Sequence, residues 1–151
     1  MIIMNNIRIT KEFKIEMAHA LYGYDGKCKN IHGHSYYLYV TVIGPIISDK
    51  LSPKNGMLID FGDLKKIVTD KIISQIDHAL LLNGNSPDSN LFKGSNFEKV
   101  VFFDYQPTCE NLLVDFAKRL KNELPKSIKL HSLKLSETVT SYAEWHAADN
   151  E

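Results

Sequence analysis

Apolar and polar residues alternate from near the start of the chain. Ile7, Ile9, Phe13, Ile15 and Met17 hold odd positions, and Arg8, Thr10, Glu12, Lys14 and Glu16 hold even ones, with only Lys11 out of step. A period of two over this length predicts a half-buried strand, and His19 falls in phase with its apolar face. The loop LYGYDGKCKN follows. A second alternation runs from His32 to about residue 43. It puts His32, His34, Tyr36, Leu38, Val40 and Val42 on one face and Ser35, Tyr37, Tyr39 and Thr41 on the other, until Gly44-Pro45 ends it.

The period then changes. Asp60 suits an N-cap and Asp63 a first turn, and Phe61, Leu64, Ile67, Val68 and Ile72 lie at helical spacing. Residues 83–106 are irregular, with NGNSPDSNLFKGSN a loop by composition and KVVFFDY a candidate short strand. A second helix is expected in QPTCENLLVDFAKRLKNELP, capped by Thr108 after Pro107, with Leu112, Leu113, Phe116, Ala117 and Leu120 as its stripe. Two strands close the chain, at 127–137 and about 141–146. The apolar phase shifts from Ile128 and Leu130 to Leu133 and Leu135, which predicts a bulge near His131-Ser132. The order is β-β-α-α-β-β. An antiparallel sheet with both helices on one face, an α+β layer fold in a single domain over 1–151, is the economical arrangement. Open sheet edges suggest that copies of the chain pair edge to edge.

Composition narrows the class. At 151 residues the chain has room for one core. Lys+Arg and Asp+Glu balance at 18 each, so no bulk field favours nucleic acid or an acidic membrane surface. The leading MIIMNN is too short an apolar run for a signal peptide, and no stretch is long enough to span a bilayer. Cys28 and Cys109 are the only cysteines, which is no disulfide framework, so a cytoplasmic, reducing home is expected.

The candidate chemistry gathers around KCKNIHGHSYYLYV. His32 and His34 are two residues apart on a strand and project to one face, and His19 ends the neighbouring strand in the same phase. One histidine alone is more often a satisfied core or loop residue. Three in matching phase describe a metal site with an open fourth position, and imidazole ligands favour Zn2+ among the divalent ions. Cys28 has two readings. It can close the site as a fourth, structural ligand, or act beside it as a reactive thiolate favoured by Lys27 and Lys29. Asp77-His78 can relay protons or serve as ordinary surface groups. Glu137 lies in phase with Leu133 and Leu135, so its carboxylate needs a partner, either a salt bridge or a ligand. Thr108 and Glu110 are capping residues first and ligand contacts second.

With these residues placed, the chain resembles the 6-pyruvoyl-tetrahydropterin synthase / 6-carboxytetrahydropterin synthase family. The resemblance rests on EMAH, CKNIHGHSYYLYVTVIG, GMLIDFGDLKK, IDHALLLN, PTCEN and LSETVTSYAEW, in the family's order over nearly the whole chain. It implies the tunnelling fold (T-fold) and rings of subunits, a hexamer built as a dimer of trimers, with active sites at subunit interfaces. It also implies zinc on His19, His32 and His34, Cys28 as catalytic base, and His78 with Asp77 as proton relay. Glu137 would anchor a pterin substrate, helped by Thr108 and Glu110. Two features depart from the family's pattern: residues 83–106 are longer than its usual link, and Ile76-Asp77-His78 stands where Leu-Asp-His is usual. The three residues between Cys28 and His32 resemble the carboxy-forming branch of the queuosine pathway; the pyruvoyl-forming synthase and a non-enzymatic zinc module are the alternatives.

Overall fold

Strand β1 (Asn6–His19) and strand β2 (His32–Pro45) pair antiparallel along their full length, from Asn6↔Pro45 to His19↔His32. The computed structural model describes residues 5–151, so most of the leading MIIMNN run lies outside it. The alternation reads through into packing. Ile15, Tyr36, Leu38, Val40 and Val42 are fully buried, and Phe13 and Met17 nearly so. The opposite face carries polar contacts, such as Thr10 Oγ1 to Thr41 Oγ1 at 2.7 Å and the Ser35 hydroxyl donating to Glu16 at 2.7 Å. Ile7 shares the apolar phase but is 44% exposed, because the strand's first residues run past the core.

Asp60 caps α1 (Phe61–Val68), its side chain accepting from the Gly62 N–H at 2.6 Å. The helix continues through a π-helical turn, Thr69–Ile73, into a last α turn, α2 (Ser74–Ile76). Leu64, Val68, Ile72 and Ile76 form its buried stripe, whereas Phe61 at the cap is 53% exposed. Thr108 caps α3 (Cys109–Lys121) through the Asn111 N–H, and Leu112, Leu113, Phe116, Ala117 and Leu120 are buried as the spacing predicts. The helical segments join β1, β5 (Lys129–Ser136) and β6 (Tyr142–His146) around one core cluster.

Two further strands complete the sheet. β3 (Leu80–Asn83) and β4 (Val100–Phe103) extend it beyond β1, both pairing parallel, so the order is β4-β3-β1-β2-β5-β6. The expected antiparallel sheet is thus the β1-β2-β5-β6 part of a mixed one. LLLN and VVFF carry too few residues to show a period, and only VVFF, with its β-branched and aromatic side chains, has the composition of a strand. The bulge falls where the phase shift put it. Thr41 pairs with Ser132 and Val42 with Leu130, leaving His131 as the extra residue. Among the described residues, no helix is long and apolar enough to cross a membrane.

Leu38 sits on the central strand opposite Phe13 on one side and Leu135 on the other, with no exposed surface. Leu38→Ala should cost about 2–5 kcal/mol in urea denaturation. Val139→Ala, at a fully exposed position, should stay within about 0.5 kcal/mol of the parent.

Candidate metal centre and active site

The β1–β2 register places His19 directly across from His32, and His34 across from Met17. Side chains of His19, His32, His34 and Glu137 therefore meet at one end of the sheet, each offering a ligand atom within 4.8 Å of all the others. Glu137 arrives from the turn after β5, where its N–H donates to the Ser141 carbonyl at 3.0 Å.

Hydrogen bonds at the far side of two rings fix what they present. His19 Nδ1 lies 2.7 Å from the Pro107 carbonyl, and His32 Nδ1 lies 2.7 Å from the Asn30 carbonyl. A carbonyl only accepts, so both Nδ1 atoms carry hydrogen, and in that tautomer each ring turns a bare Nε2 lone pair inward. These two Nε2 atoms are 3.1 Å apart. Two lone pairs at that distance repel unless a proton or a cation lies between them. His34 Nε2 decides between the two. It is buried without a hydrogen-bond partner, although Glu137 Oε1 is 3.2 Å away at an unsuitable angle. One proton cannot serve all three nitrogens, whereas one small cation can. Two nitrogens bound at 2.0–2.1 Å in a tetrahedron stand about 3.3 Å apart, close to the spacing here. The donor set of three imidazoles and a carboxylate fits a borderline-soft divalent ion.

Electrostatics agree with this arrangement. Burial, reinforced by His19 and His32, pulls the His34 imidazole below its ordinary pKa despite the Glu137 charge, so it stays neutral and able to bind. Contact with the His19 ring at 3.2 Å, together with the hydroxyl that Tyr36 donates, holds the Glu137 carboxyl below the usual range against the opposing effect of burial, so it is ionised. Tyr36 is the residue that phase alone undersells. Its position assigns it to the apolar wall, but its hydroxyl donates to Glu137 Oε1 at 3.1 Å and lies 3.4 Å from His19 Nε2. Burial, then the neighbouring carboxylate, raises its pKa well above the ordinary value, so it remains a donor. Its place two residues after His34 on the same face is the signal the sequence holds.

Cys28 lies in a 3-10 turn (Lys27–Lys29) at the same end of the sheet, partly buried, and does not join the four-ligand group. Its loop is fastened by Gln106. That side-chain amide accepts from the Tyr22 N–H at 3.1 Å and donates back to the Tyr22 carbonyl. Cys109 is different: buried, its thiol donating to the Leu135 carbonyl at 3.1 Å, and pushed up to about 12 by burial.

Asp77 and His78 are brought together, His78 Nδ1 to Asp77 Oδ2 at 3.0 Å, but among the described residues no hydrogen bond joins His78 to Cys28. His78 has a φ of +59°, a left-handed conformation that costs a non-glycine residue about 1–3 kcal/mol. Burial opposes ionisation of Asp77, but the Glu16 N–H at 2.9 Å and His78 hold its carboxyl below the usual range. His78 borders a cavity of about 760 Å³ that also touches His34, walled on the far side by Phe92 and Phe97. The long 83–106 segment thus shapes this cavity. Thr108 and Glu110 do not reach the imidazoles. Thr108 caps α3, and Glu110 lines a separate cavity of about 290 Å³ beside Trp145. Pro107, next to Thr108, is the contact between this segment and the site.

The chain matches the family model described as 6-pyruvoyl tetrahydropterin synthase over residues 8–148. It is 37% identical over 142 residues to the 6-carboxy-5,6,7,8-tetrahydropterin synthase of Haemophilus influenzae, covering 91% of this chain and 97% of that one. It is 36% identical over 112 residues to the 6-pyruvoyl tetrahydrobiopterin synthase of Poecilia reticulata, covering 70% and 63%. The fold superposes on the Caenorhabditis elegans 6-pyruvoyl tetrahydropterin synthase with a TM-score of 0.70 at 24% identity, over 97% of this chain and 99% of that one.

Purified protein should carry about one equivalent of divalent metal by elemental analysis. A His32→Ala, His34→Ala double variant should lose it, and full occupancy in that variant would remove the centre assigned here.

Proposed function

The chain belongs to the 6-pyruvoyl tetrahydropterin synthase family, and from that membership we propose that it is a zinc-dependent 6-carboxy-5,6,7,8-tetrahydropterin synthase. In this reading it converts 7,8-dihydroneopterin triphosphate and one water to 6-carboxytetrahydropterin, acetaldehyde and triphosphate for the queuosine pathway. The observation that carries the metal-dependent part is the orphaned, buried His34 Nε2 facing two inward lone pairs. The choice of branch leans on the Haemophilus relative, matched over nearly the full length of both chains. The pyruvoyl-forming reaction is the second reading, favoured by the Poecilia relative at nearly equal identity over a shorter span.

His19, His32 and His34 would hold zinc, which when bound supplies Lewis-acid polarisation of the substrate's side-chain oxygens. The remaining work falls to side chains. Cys28, between Lys27 and Lys29, removes the proton from the adjacent carbon as a thiolate. His78, oriented by Asp77, moves protons to and from solvent. His78 stands mostly in solvent and, among the described residues, makes no hydrogen bond to Cys28, which suits a site completed by a second copy of the chain in a homo-oligomer. The Tyr36 hydroxyl donates to Glu137, which stays ionised. A carboxylate so prepared accepts two N–H bonds from the edge of a pterin in bidentate form. Thr108 caps α3 and Glu110 lines a separate cavity, so in this reading they would support a pterin held by a second copy of the chain. Among the described residues no lysine pairs with Glu137, so the plain salt-bridge alternative lacks its partner.

Incubation with 7,8-dihydroneopterin triphosphate followed by mass spectrometry should show 6-carboxytetrahydropterin and acetaldehyde. A 6-pyruvoyl product without acetaldehyde would select the second branch. Cys28→Ala should keep its metal and lose turnover; loss of both would make the cysteine a structural ligand.

Glu137 offers a sharper division, because its oxygen lies within 3.2 Å of two ligating nitrogens. As the pterin anchor, Glu137→Gln should keep the metal and weaken substrate binding by about 1.5–3 kcal/mol. As a metal ligand it should lose the metal instead. Elemental analysis and a Michaelis constant on one preparation separate the two.

A further inference from the structure

The left-handed residue at the end of α2 is held by bonds from two directions. From β1, the Glu16 backbone takes both sides of the Asp77-His78 pair: its N–H donates to Asp77 Oδ1 at 2.9 Å, and its carbonyl accepts from the His78 N–H at 2.6 Å. These bonds fix the Asp77 carboxylate and the His78 amide. They leave the carbonyls at the helix end, which have no partner within the helix. A lysine supplies one. Lys99 Nζ donates to the Asp77 carbonyl at 2.6 Å and to the Ser74 carbonyl at 3.0 Å. The Lys99 carbonyl in turn accepts from the Leu80 N–H at 3.0 Å, so the backbone of Lys99 is tied to the strand that leaves the pair.

We propose that Lys99 is a positioning residue for the Asp77–His78 pair: it clamps the peptide that joins them from the side β1 does not reach. A glycine usually stands where a helix ends in the left-handed region. Here an imidazole must stand there, so its preferred rotation back toward the right-handed region has to be blocked. Glu16 holds the amide of His78, and among the described residues Lys99 is the sole donor to the carbonyl of Asp77. With both ends of the pair held, the ring's line of approach into the cavity is set by the backbone rather than by side-chain packing, which an exposed histidine lacks. The cation is also well chosen. It opposes the negative end of the helix and stands near the Asp77 carboxylate without competing with His78 for it. Among the described residues, Glu16 and Glu98 are the other acidic groups lining this cavity, and Glu16 is already paired with Lys14 at 2.8 Å. The longer 83–106 segment thereby gains a purpose: it delivers Lys99 to the relay, as well as Phe92 and Phe97 to the cavity wall.

The proposal rests on the relay reading of His78, and the experiment keeps the two apart. Metal-loaded Lys99→Met should turn over about tenfold more slowly, the usual loss when an orienting partner is removed, with little change in Michaelis constant. Lys99→Arg, which can donate to the same two carbonyls, should recover most of that loss. In a His78→Gln background the Lys99 change should have no further effect. Parental turnover in Lys99→Met would overturn the clamp, as would an equal loss in the His78→Gln background. A fully active His78→Gln enzyme would overturn the relay itself.

Discussion

The register between β1 and β2 is the constraint on which the rest depends. One ladder fixes which residues face the helices, and its last pair sets His19 opposite His32. Because side chains repeat every two residues, a slip of one position would send every apolar side chain of one strand to solvent and separate the imidazoles at the same stroke. Core and site are therefore specified together. The hydrophobic face of Phe13, Ile15, Met17, Tyr36, Leu38 and Val40 defends the register with its burial, and the histidines inherit their alignment from it.

This sharing explains how so polar a cluster stands at the edge of an apolar core. An unpaired polar atom in such a place costs about 1–3 kcal/mol, and the structure answers that cost piece by piece. Loop carbonyls of Pro107 and Asn30 take the outer nitrogens, and Tyr36 takes the carboxylate. Only the inward nitrogens are left, and they converge. The arrangement leaves its dissatisfaction at one point, where a cation can relieve it.

Much of this is legible in the sequence, for identifiable reasons. Long alternations mark β1 and β2, capping residues with helical stripes mark α1 and α3, and a break of phase marks the bulge at His131. The three histidines follow from strand phase alone. What escapes lies in short or non-periodic stretches. Leu80–Asn83 is four residues long and carries no period, and the π-helical turn Thr69–Ile73 keeps the same stripe an α-helix would. The roles of Gln106, Pro107 and Lys99 rest on backbone atoms meeting across 22 to 88 positions of sequence, which no local pattern encodes. Glu137 is visible as a misplaced charge, but its neighbours are not, since they come from strands far away in the chain.

The bulge in β5 has a consequence for how such chains are compared. Ile128 and Leu130 face the helices from even positions, whereas Leu133 and Leu135, with Glu137 beyond them, do so from odd ones, and His131 absorbs the difference. Position along the strand is thus no guide to facing unless counting restarts after His131. A related chain one residue shorter at that point would keep plain alternation and still aim its carboxylate at the imidazoles. Aligned from the start of the strand without a gap, its glutamate would fall one column away from Glu137, and an identical site would pass for a missing one.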